Sequence, residues 1–235
     1  MLQVSVFLPA YNEEATIAKT IANVEKFLPG ISDQYEIIII NDGSKDNTAH
    51  LVKKLARNNS KLRMISHAVN KGYGAAIKSG LYACRYPWIV QMDSDGQFDF
   101  SEIKKFVPFT GKFDLIIGFR AKRTDSKYRR FMAGILKLAD NILFGLSVND
   151  VDCGFKLFKK EVVDKLPKLK TESAITITEF MVRAKNVGFK IKEVSVNHYS
   201  RKEGEQTGGK PSIIIKAAWQ GIWLWFLLLK EKIWK

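Results

Sequence analysis

Short apolar runs that alternate with amphipathic stretches organise the first half of this sequence. Residues 37–40 are four consecutive isoleucines, as expected for a strand that is covered on both faces of a sheet. Strands separated by helical stretches and short loops predict βαβ units and a mostly parallel sheet. Ligands of such sheets bind beyond the carboxyl ends of the strands. Functional side chains are therefore expected directly after each strand.

The apolar pattern predicts an α/β fold of helices flanking this sheet. The predicted strands are residues 4–8, 36–41, 62–66, 88–92, 114–118, 153–158 and 189–198. The predicted helices are residues 13–28, 45–57, 73–85, 101–107, 131–146, 175–187 and 211–235. Residues 201–210 are polar and rich in glycine, which indicates a loop, and Pro211 suits the first turn of the last helix.

Positive charge is concentrated in the second half of the chain. Residues 119–235 hold 24 of the 38 Lys and Arg residues and 12 of the 24 Asp and Glu residues, which is +12 of the total +14. This imbalance favours an anionic partner such as nucleic acid, anionic lipid or a phosphorylated substrate, although it also serves solubility.

Cysteine usage and the start of the chain suggest a reducing compartment. Cys84 and Cys153 are the only cysteines, and they form neither a CxxC pair nor a disulfide framework. Met1 leads directly into the first predicted strand, so we expect no cleaved export signal and a cytoplasmic location.

Carboxylates follow three of the predicted strands. The strand ends read PAYNEE at 9–14, NDGSKDNT at 41–48 and MDSDGQ at 92–97. Taken alone, Asp-Gly-Ser is an ordinary turn and helix cap. Asp93 and Asp95 lie two residues apart after a buried strand, which suits a hard cation such as Mg²⁺ or Mn²⁺ with water and phosphate oxygens as further ligands.

In this order and spacing, the strand-end segments resemble family 2 of the glycosyltransferases. The resemblance covers residues 3–210 and includes NKGYGAA at 70–76. Within that family the chain is most similar to the dolichyl- or polyprenyl-phosphate mannose and glucose synthases. This similarity rests on DSDGQ at 93–97, GFR at 118–120, DCGF at 152–155 and an Arg-x-x-Gly loop that begins at Arg201. The same loop has Gln206-Thr207 where those synthases have Ser-Lys, and its lysine comes only at Lys210.

The resemblance implies a GT-A, Rossmann-like catalytic domain at residues 1–210. Residues 211–235 are predicted from their composition to form a C-terminal amphipathic helix. The resemblance further implies metal-dependent, inverting transfer of a sugar from a UDP- or GDP-sugar to a polyprenyl phosphate. The enzyme would bind peripherally at the cytoplasmic face of the membrane.

The resemblance also assigns roles to individual residues. Nucleotide-sugar binding is assigned to Pro9, Tyr11, Glu13, Asp42, Lys71, Gly72 and Asp93. The metal, Mg²⁺ or Mn²⁺, is assigned to Asp93, Asp95 and Gln97. Phosphates of the acceptor or donor are assigned to Arg120, Arg129, Arg130, Arg201 and Lys210. The catalytic set is Asp93, Asp95, Arg120 and Arg201.

The last predicted helix has the composition of an interfacial segment. Residues 213–229 contain one charge, Lys216, and would rise about 25 Å, less than the hydrocarbon core of about 30 Å. Tryptophans and terminal lysines favour a helix that lies in the membrane surface. Packing against its own domain or against a second subunit is the alternative.

Two other functions stay open. A family 2 transferase that acts on a hydroxyl of a lipid, glycan or small molecule needs a general base, and Glu172 has no second carboxylate beside it, which favours the phosphate acceptor. A nucleic-acid-binding module is disfavoured because clustered carboxylates repel phosphates and no basic stripe alternates with aromatic residues. The sugar, the donor nucleotide and the oligomeric state also stay open.

Overall fold

The structure, a computed structural model, describes residues 1–121, 134, 138, 140–201 and 211–233. The strands are β1 (Leu2–Ala10), β2 (Ser32–Asn41), β3 (Leu62–Ser66), β4 (Trp88–Met92), β5 (Leu115–Arg120), β6 (Phe155–Lys159) and β7 (Ile191–Val196). The helices are α1 (Ile17–Phe27), α2 (Thr48–Arg57), α3 (Tyr73–Ala83), α4 (Lys160–Lys165), α5 (Ile175–Val187) and α6 (Pro211–Ile233). Residues 140–144 are also helical.

All seven strands belong to one sheet with the order β3-β2-β1-β4-β6-β5-β7. Strand β6 runs antiparallel to both of its neighbours, and the other neighbouring pairs are parallel. The predicted α/β fold with a mostly parallel sheet is therefore confirmed. Because β2, β1 and β4 are parallel neighbours, their carboxyl ends meet at one edge, and the three carboxylate-bearing segments follow them there.

Apolar side chains cover both faces of the sheet. Phe7 and Ile38 lie on the face that packs against α3, α5 and α6, whereas Val6 and Ile39 lie on the face covered by α1. All four side chains are fully buried. This alternation explains the continuous apolar run of β2, since each of its faces has a helical layer to pack against.

Two helices begin later than predicted because polar contacts fix their first residues in other conformations. Helix α1 begins at Ile17 rather than residue 13, and the backbone N–H of Glu13 instead donates to Thr48 Oγ1 at 2.8 Å. Helix α2 begins at Thr48 rather than residue 45, with the Thr48 N–H donating to Asp46 Oδ1 at 3.0 Å.

Other predicted elements also need correction. The α-helix predicted at 101–107 is instead a pair of 3₁₀-helices, Phe100–Lys105 and Val107–Phe109, and Pro108 within the second one has no N–H for a continuous α-helix. The short helix α4 was not predicted. Seven of the sixteen residues of the helix predicted at 131–146 and nine of the ten residues of the loop at 201–210 lie outside the described residues, as do Arg129, Arg130 and Lys210.

Helix α6 packs on the body through one of its faces. Ala217, Leu224 and Leu228 are buried in the core that α3 and α5 share. At its end, Glu231 accepts hydrogen bonds from both Arg183 amino groups at 2.7 and 3.2 Å, and Arg183 Nε donates to the fully buried Glu179 at 2.8 Å. Within the described ranges, no helix is both long and apolar enough to cross a membrane.

We predict that Arg183→Met lowers the free energy of unfolding by about 3 kcal/mol, because it leaves Glu179 as a buried charge without its cationic partner. Urea denaturation measures the change. The matched control is Lys165→Met, which removes an exposed ion pair with Glu161 on α4. Its expected cost is below about 0.5 kcal/mol. Equal effects of the two substitutions would contradict the structural role of the buried pair.

Candidate active site

The loop after β4 buries two carboxyl groups at the sheet edge. Asp93 is held by its backbone N–H, which donates to Gly154 O at 3.0 Å, and by Tyr73 Oη, which donates to its Oδ1 at 3.0 Å. Burial, with a further contribution from the neighbouring Asp95, raises the pKa of Asp93 to about 7. Burial also raises the pKa of Asp95, although the N–H of Gln97 and the charge of Arg201 act in the opposite direction.

Arg201 joins the loops after β1 and β4. One of its amino groups donates to both carboxylate oxygens of Glu13, at 2.8 and 2.9 Å, and the other lies 3.7 Å from Asp95 Oδ2. Burial raises the pKa of Glu13, while Arg201 opposes this shift. Glu13, predicted to bind the nucleotide-sugar, and Asp95, predicted to bind the metal, therefore both lie beside the guanidinium of Arg201, which is predicted to bind phosphate.

Asp42, at the end of β2, holds the turn that leads into α3. Its Oδ1 accepts the N–H of Lys71 at 2.9 Å, its Oδ2 accepts the N–H of Gly72 at 2.8 Å, and His67 Nδ1 lies 2.6 Å from Oδ1. The other ring nitrogen of His67 lies 2.8 Å from Ser79 Oγ. Sequence reasoning missed His67, although its position directly after β3 was a signal that the strand-end rule provides.

The loops after β1 and β2 are bound to each other. Asn12 N donates to Ser44 Oγ at 3.0 Å, and Lys45 N donates to Asn12 Oδ1 at 2.8 Å. Ser94 Oγ donates to the carbonyl of Pro9 at 2.7 Å, which brings the loop after β4 into the same network. Tyr11 lies half-buried in this network. Pro9, Tyr11, Glu13 and Asp42 thus lie along one edge, as the sequence predicts.

Gln97 and Arg120 are fixed by contacts to other parts of the chain. Gln97 Nε2 donates to the carbonyl of Tyr199 at 2.9 Å, and Tyr199 N donates back to the carbonyl of Gln97 at 3.0 Å. Arg120 donates to both carboxylate oxygens of Asp150, at 2.6 and 2.7 Å. Gln97 therefore anchors the segment that carries Arg201, and Asp150 anchors the Arg120 guanidinium.

A buried lysine also lies at this edge, and sequence reasoning missed it. Lys156 on β6 is 1% exposed and donates to the carbonyl of Cys153. Burial lowers the pKa of Lys156, while Cys153 and Asp93 act in the opposite direction. On the helical segment at 140–144, burial and the charge of Asp152 raise the pKa of Asp140 to about 7. Lys156 and Asp140 are thus two further ionisable groups that are withdrawn from water.

The chemistry of the donor set fits a divalent cation that is also bound by substrate. In the part of the chain that the structure describes, no three His, Cys, Asp or Glu residues lie close enough to hold a metal by themselves. Asp93 and Asp95 supply two buried carboxyl groups whose mutual repulsion a cation would relieve. Mg²⁺ and Mn²⁺ accept one or two carboxylates when phosphate oxygens and water complete the coordination.

Comparison with known proteins identifies the fold and the family of this chain. The chain has the fold of the GT-A glycosyltransferases: a Mycobacterium tuberculosis glucosyl-3-phosphoglycerate synthase, solved with Mn²⁺, uridine diphosphate and phosphoglyceric acid, aligns with a TM-score of 0.72 at 19% identity. That alignment covers 95% of this chain and 78% of that one. The model of the glycosyl transferase family 2 matches residues 5–167. The chain therefore belongs to glycosyl transferase family 2.

Two similar proteins are named for a lipid phosphate. A dolichyl-phosphate beta-glucosyltransferase of Dictyostelium discoideum is 32% identical over 216 residues, which cover 83% of this chain and 66% of that protein. An undecaprenyl-phosphate 4-deoxy-4-formamido-L-arabinose transferase of Pseudomonas fluorescens is 27% identical over 205 residues, which cover 86% and 59%. The chain thus spans less than two thirds of the length of these relatives.

We predict that Asp93→Asn raises the melting temperature at pH 8 by about 3 °C or more and has a smaller effect at pH 4. From about pH 4 to about pH 7 the folded protein keeps a proton on Asp93 that the unfolded chain has released. The free energy of unfolding therefore falls as the pH rises through this window, and the amide removes that loss.

Asp99→Asn is the control with the opposite sign. Burial acts to raise the pKa of Asp99, but the hydrogen bonds from Ser101 and Asn23 together outweigh it and lower the pKa of Asp99. Its ionised form stabilises the fold above about pH 4, so Asp99→Asn lowers the melting temperature at pH 8. Differential scanning fluorimetry at both pH values measures the two variants. A lower melting temperature for Asp93→Asn at pH 8 contradicts the burial argument.

Proposed function

We propose that this protein transfers a sugar from a nucleotide-sugar to a polyprenyl phosphate and inverts the anomeric carbon. The observation that carries the proposal is the meeting of Glu13, Asp95 and Arg201 beside Asp93 at one sheet edge. The family 2 match and the two relatives with dolichyl- and undecaprenyl-phosphate in their names support the same reaction class. The catalytic domain in this proposal comprises residues 1–210.

In this proposal Asp93 and Asp95 hold Mg²⁺ or Mn²⁺ together with the diphosphate of the donor, and Gln97 supports them. The bound cation neutralises the negative charge that develops on the leaving diphosphate. The burial of both carboxyl groups strengthens their attraction for a cation, because charges interact more strongly where water is excluded. The Mn²⁺ and uridine diphosphate of the mycobacterial structure agree with this assignment.

The nucleoside side of the proposed site comprises the end of β1 and the loops after β1, β2 and β3. These segments provide Pro9, Tyr11, Glu13, Asp42, Lys71 and Gly72. A carboxylate accepts about four hydrogen bonds, and Asp42 receives contacts from His67 and from two backbone N–H groups. One acceptor position of Asp42 thus remains for a donor group of the base or ribose. Either a UDP- or a GDP-sugar satisfies this chemistry.

A phosphate acceptor suits the side chains near Asp95 better than a hydroxyl acceptor. A polyprenyl phosphate is already an anion near neutral pH, so it needs guanidinium groups for positioning but no general base. We assign Arg120 and Arg201, with Arg129, Arg130 and Lys210, to its phosphate and to that of the donor. Glu172, the carboxylate considered as a base for a hydroxyl acceptor, has a side chain that is 62% exposed and lies 4.0 Å from Lys78 Nζ.

We assign the exposed face of α6 to the membrane surface. Its large apolar side chains recur at helical spacing along that face: Ile215, Trp219, Ile222, Phe226 and Leu229. Trp219 is 71% exposed and Phe226 is 60% exposed. Exposed Lys216 and Lys230 flank this apolar face and suit anionic headgroups. A helix lying in the cytoplasmic surface of the membrane would bring the site to its lipid acceptor.

The reaction is tested by supplying a panel of UDP- and GDP-sugars with a short polyprenyl phosphate, with Mn²⁺ or with EDTA. We predict that Asp95→Ala lowers turnover at least about 100-fold, the loss of roughly 2.7 kcal/mol of transition-state stabilisation. It should weaken nucleotide-sugar binding only when metal is present. Asp164→Ala, at an exposed ion pair on α4, is the control and should keep wild-type rates.

Activity of the wild type in EDTA, or normal rates for Asp95→Ala, would contradict the metal role. Transfer to water or to a small hydroxyl acceptor but not to polyprenyl phosphate would instead favour the hydroxyl-acceptor transferase. Calorimetry of the nucleotide with and without Mn²⁺ separates a binding defect from a catalytic defect.

We predict that the double substitution Trp219→Ser/Phe226→Ser lowers the partition coefficient onto phosphatidylglycerol–phosphatidylcholine vesicles by about tenfold or more, because two large apolar side chains no longer leave water. Vesicle flotation measures the change, and nucleotide binding should be retained. Deletion of α6 is unsuitable, because it also removes Leu224 and Leu228 from the core.

The matched control is Leu55→Ser/Val187→Ser, which changes two exposed apolar residues on α2 and α5. This variant should float with the vesicles like the wild type. Equal loss of flotation in both double variants, or no loss in Trp219→Ser/Phe226→Ser, would show that the exposed face of α6 does not bind the vesicle surface.

A further inference from the structure

We propose that Tyr73 and Gly154 are positioning residues that fix the carboxylate of Asp93 in the orientation needed to bind metal. The proposal rests on the proposed metal role of Asp93 and assigns two residues that act through it. Tyr73 is the first residue of α3, and Gly154 directly precedes β6. Tyr73 therefore contacts Asp93 from the start of α3, and Gly154 contacts it from the residue before β6.

The direction of the Tyr73 hydrogen bonds is set by Gln91. Gln91 Nε2 donates to Tyr73 Oη at 3.1 Å, so the hydroxyl proton is left for Asp93 Oδ1 at 3.0 Å. Gln91 is 1% exposed, belongs to β4 and precedes Asp93 by two residues. One oxygen of Asp93 is thereby engaged by a fixed donor.

The other oxygen of Asp93 occupies the space that Gly154 leaves open. A Cβ atom at Gly154 would overlap the carboxylate of Asp93, with Oδ2 as its nearest atom. The carbonyl of Gly154 accepts the N–H of Asp93 at 3.0 Å, and the antiparallel pairing of Met92 with Phe155 fixes the register of the two segments. Any side chain at residue 154 would therefore turn the Asp93 carboxylate away from its position.

Tyr73 is itself held in place from two sides. The N–H groups of Lys71 and Gly72, the two residues before it, donate to Asp42. Gly74, the residue after it, packs so closely against the segment 172–176 that a Cβ would overlap Thr176. The hydroxyl group is thus positioned by backbone contacts that do not depend on Asp93.

Removal of the hydroxyl should weaken metal binding more than it weakens the fold. Tyr73 is 38% exposed, so Tyr73→Phe leaves no large cavity. A hydrogen bond that contributes about 1.4 kcal/mol to binding corresponds to a tenfold change in affinity. We expect Tyr73→Phe to raise the Kd for Mn²⁺ in the presence of UDP or GDP about tenfold.

The experiment measures Mn²⁺ binding by electron paramagnetic resonance on the full chain with UDP or GDP, together with the melting temperature and, where transfer is seen, kcat and KM. Tyr82→Phe is the matched control on the same helix, because Tyr82 Oη accepts the N–H of Leu169 at 2.9 Å and so loses a hydrogen bond elsewhere. Tyr73→Phe should weaken Mn²⁺ binding and lower kcat at subsaturating metal. Tyr82→Phe should leave Mn²⁺ binding unchanged.

Gly154→Ala should raise the Kd for Mn²⁺ more than Tyr73→Phe does, since it displaces the carboxylate rather than releasing it. Unchanged Mn²⁺ affinity in Tyr73→Phe, or an equal loss in Tyr82→Phe, overturns the proposal. A wild type that binds no Mn²⁺ with either nucleotide overturns it too. A wild type that binds Mn²⁺ but transfers no sugar to polyprenyl phosphate refutes the proposed function alone, because the Mn²⁺ affinities still decide the positioning roles.

Discussion

Buried carboxyl groups at the carboxyl ends of β1, β2 and β4 are the constraint on which the rest of this edge depends. A carboxylate removed from water needs hydrogen bonds or a cation, since an unpaired buried charge is strongly destabilising. Glu13 accepts hydrogen bonds from Arg201, and Asp93 accepts one from Tyr73. Asp42 accepts hydrogen bonds from two backbone N–H groups and contacts His67. The partners of Asp42 and Asp93 lie between β3 and the start of α3, and the partner of Glu13 lies after β7, so satisfying the carboxylates also fixes these segments.

The contacts differ in how far they offset the effect of burial on the pKa values of the carboxyl groups. The raised pKa values of Glu13, Asp93 and Asp95 mean that burial outweighs the compensating contacts at all three. By contrast, hydrogen bonds lower the pKa of Asp46, in the loop after β2, and of Asp114, directly before β5, despite some burial. Among these five carboxyl groups, compensation by contacts is incomplete at Glu13, Asp93 and Asp95, where a bound cation would supply the missing positive charge.

Local sequence patterns predict the position of this edge but not the pairs within it. Alternating apolar segments determine the strands, and the parallel order of β2, β1 and β4 then brings Pro9, Asp42 and Asp93 together. The contact between Glu13 and Arg201 joins residues 188 positions apart, and no periodicity encodes it. The sequence pattern does not predict Lys156 for a related reason, because this lysine lies within the apolar run of β6. Only the antiparallel insertion of β6 between β4 and β5 brings its charge beside Asp93.

Packing links the exposed face of α6 to the carboxylate edge through a short series of contacts. Gln220 on α6 accepts the N–H of Glu172 at 3.2 Å, and the segment that begins at Glu172 packs against Gly74, next to Tyr73. Because Leu224 and Leu228 are buried in the same core, α6 is part of the packed body rather than a tethered appendage. If the outer face of α6 binds a membrane, core packing therefore sets the distance and orientation of Asp93 relative to the membrane surface. The lipid phosphate would have to reach the sugar within that fixed geometry.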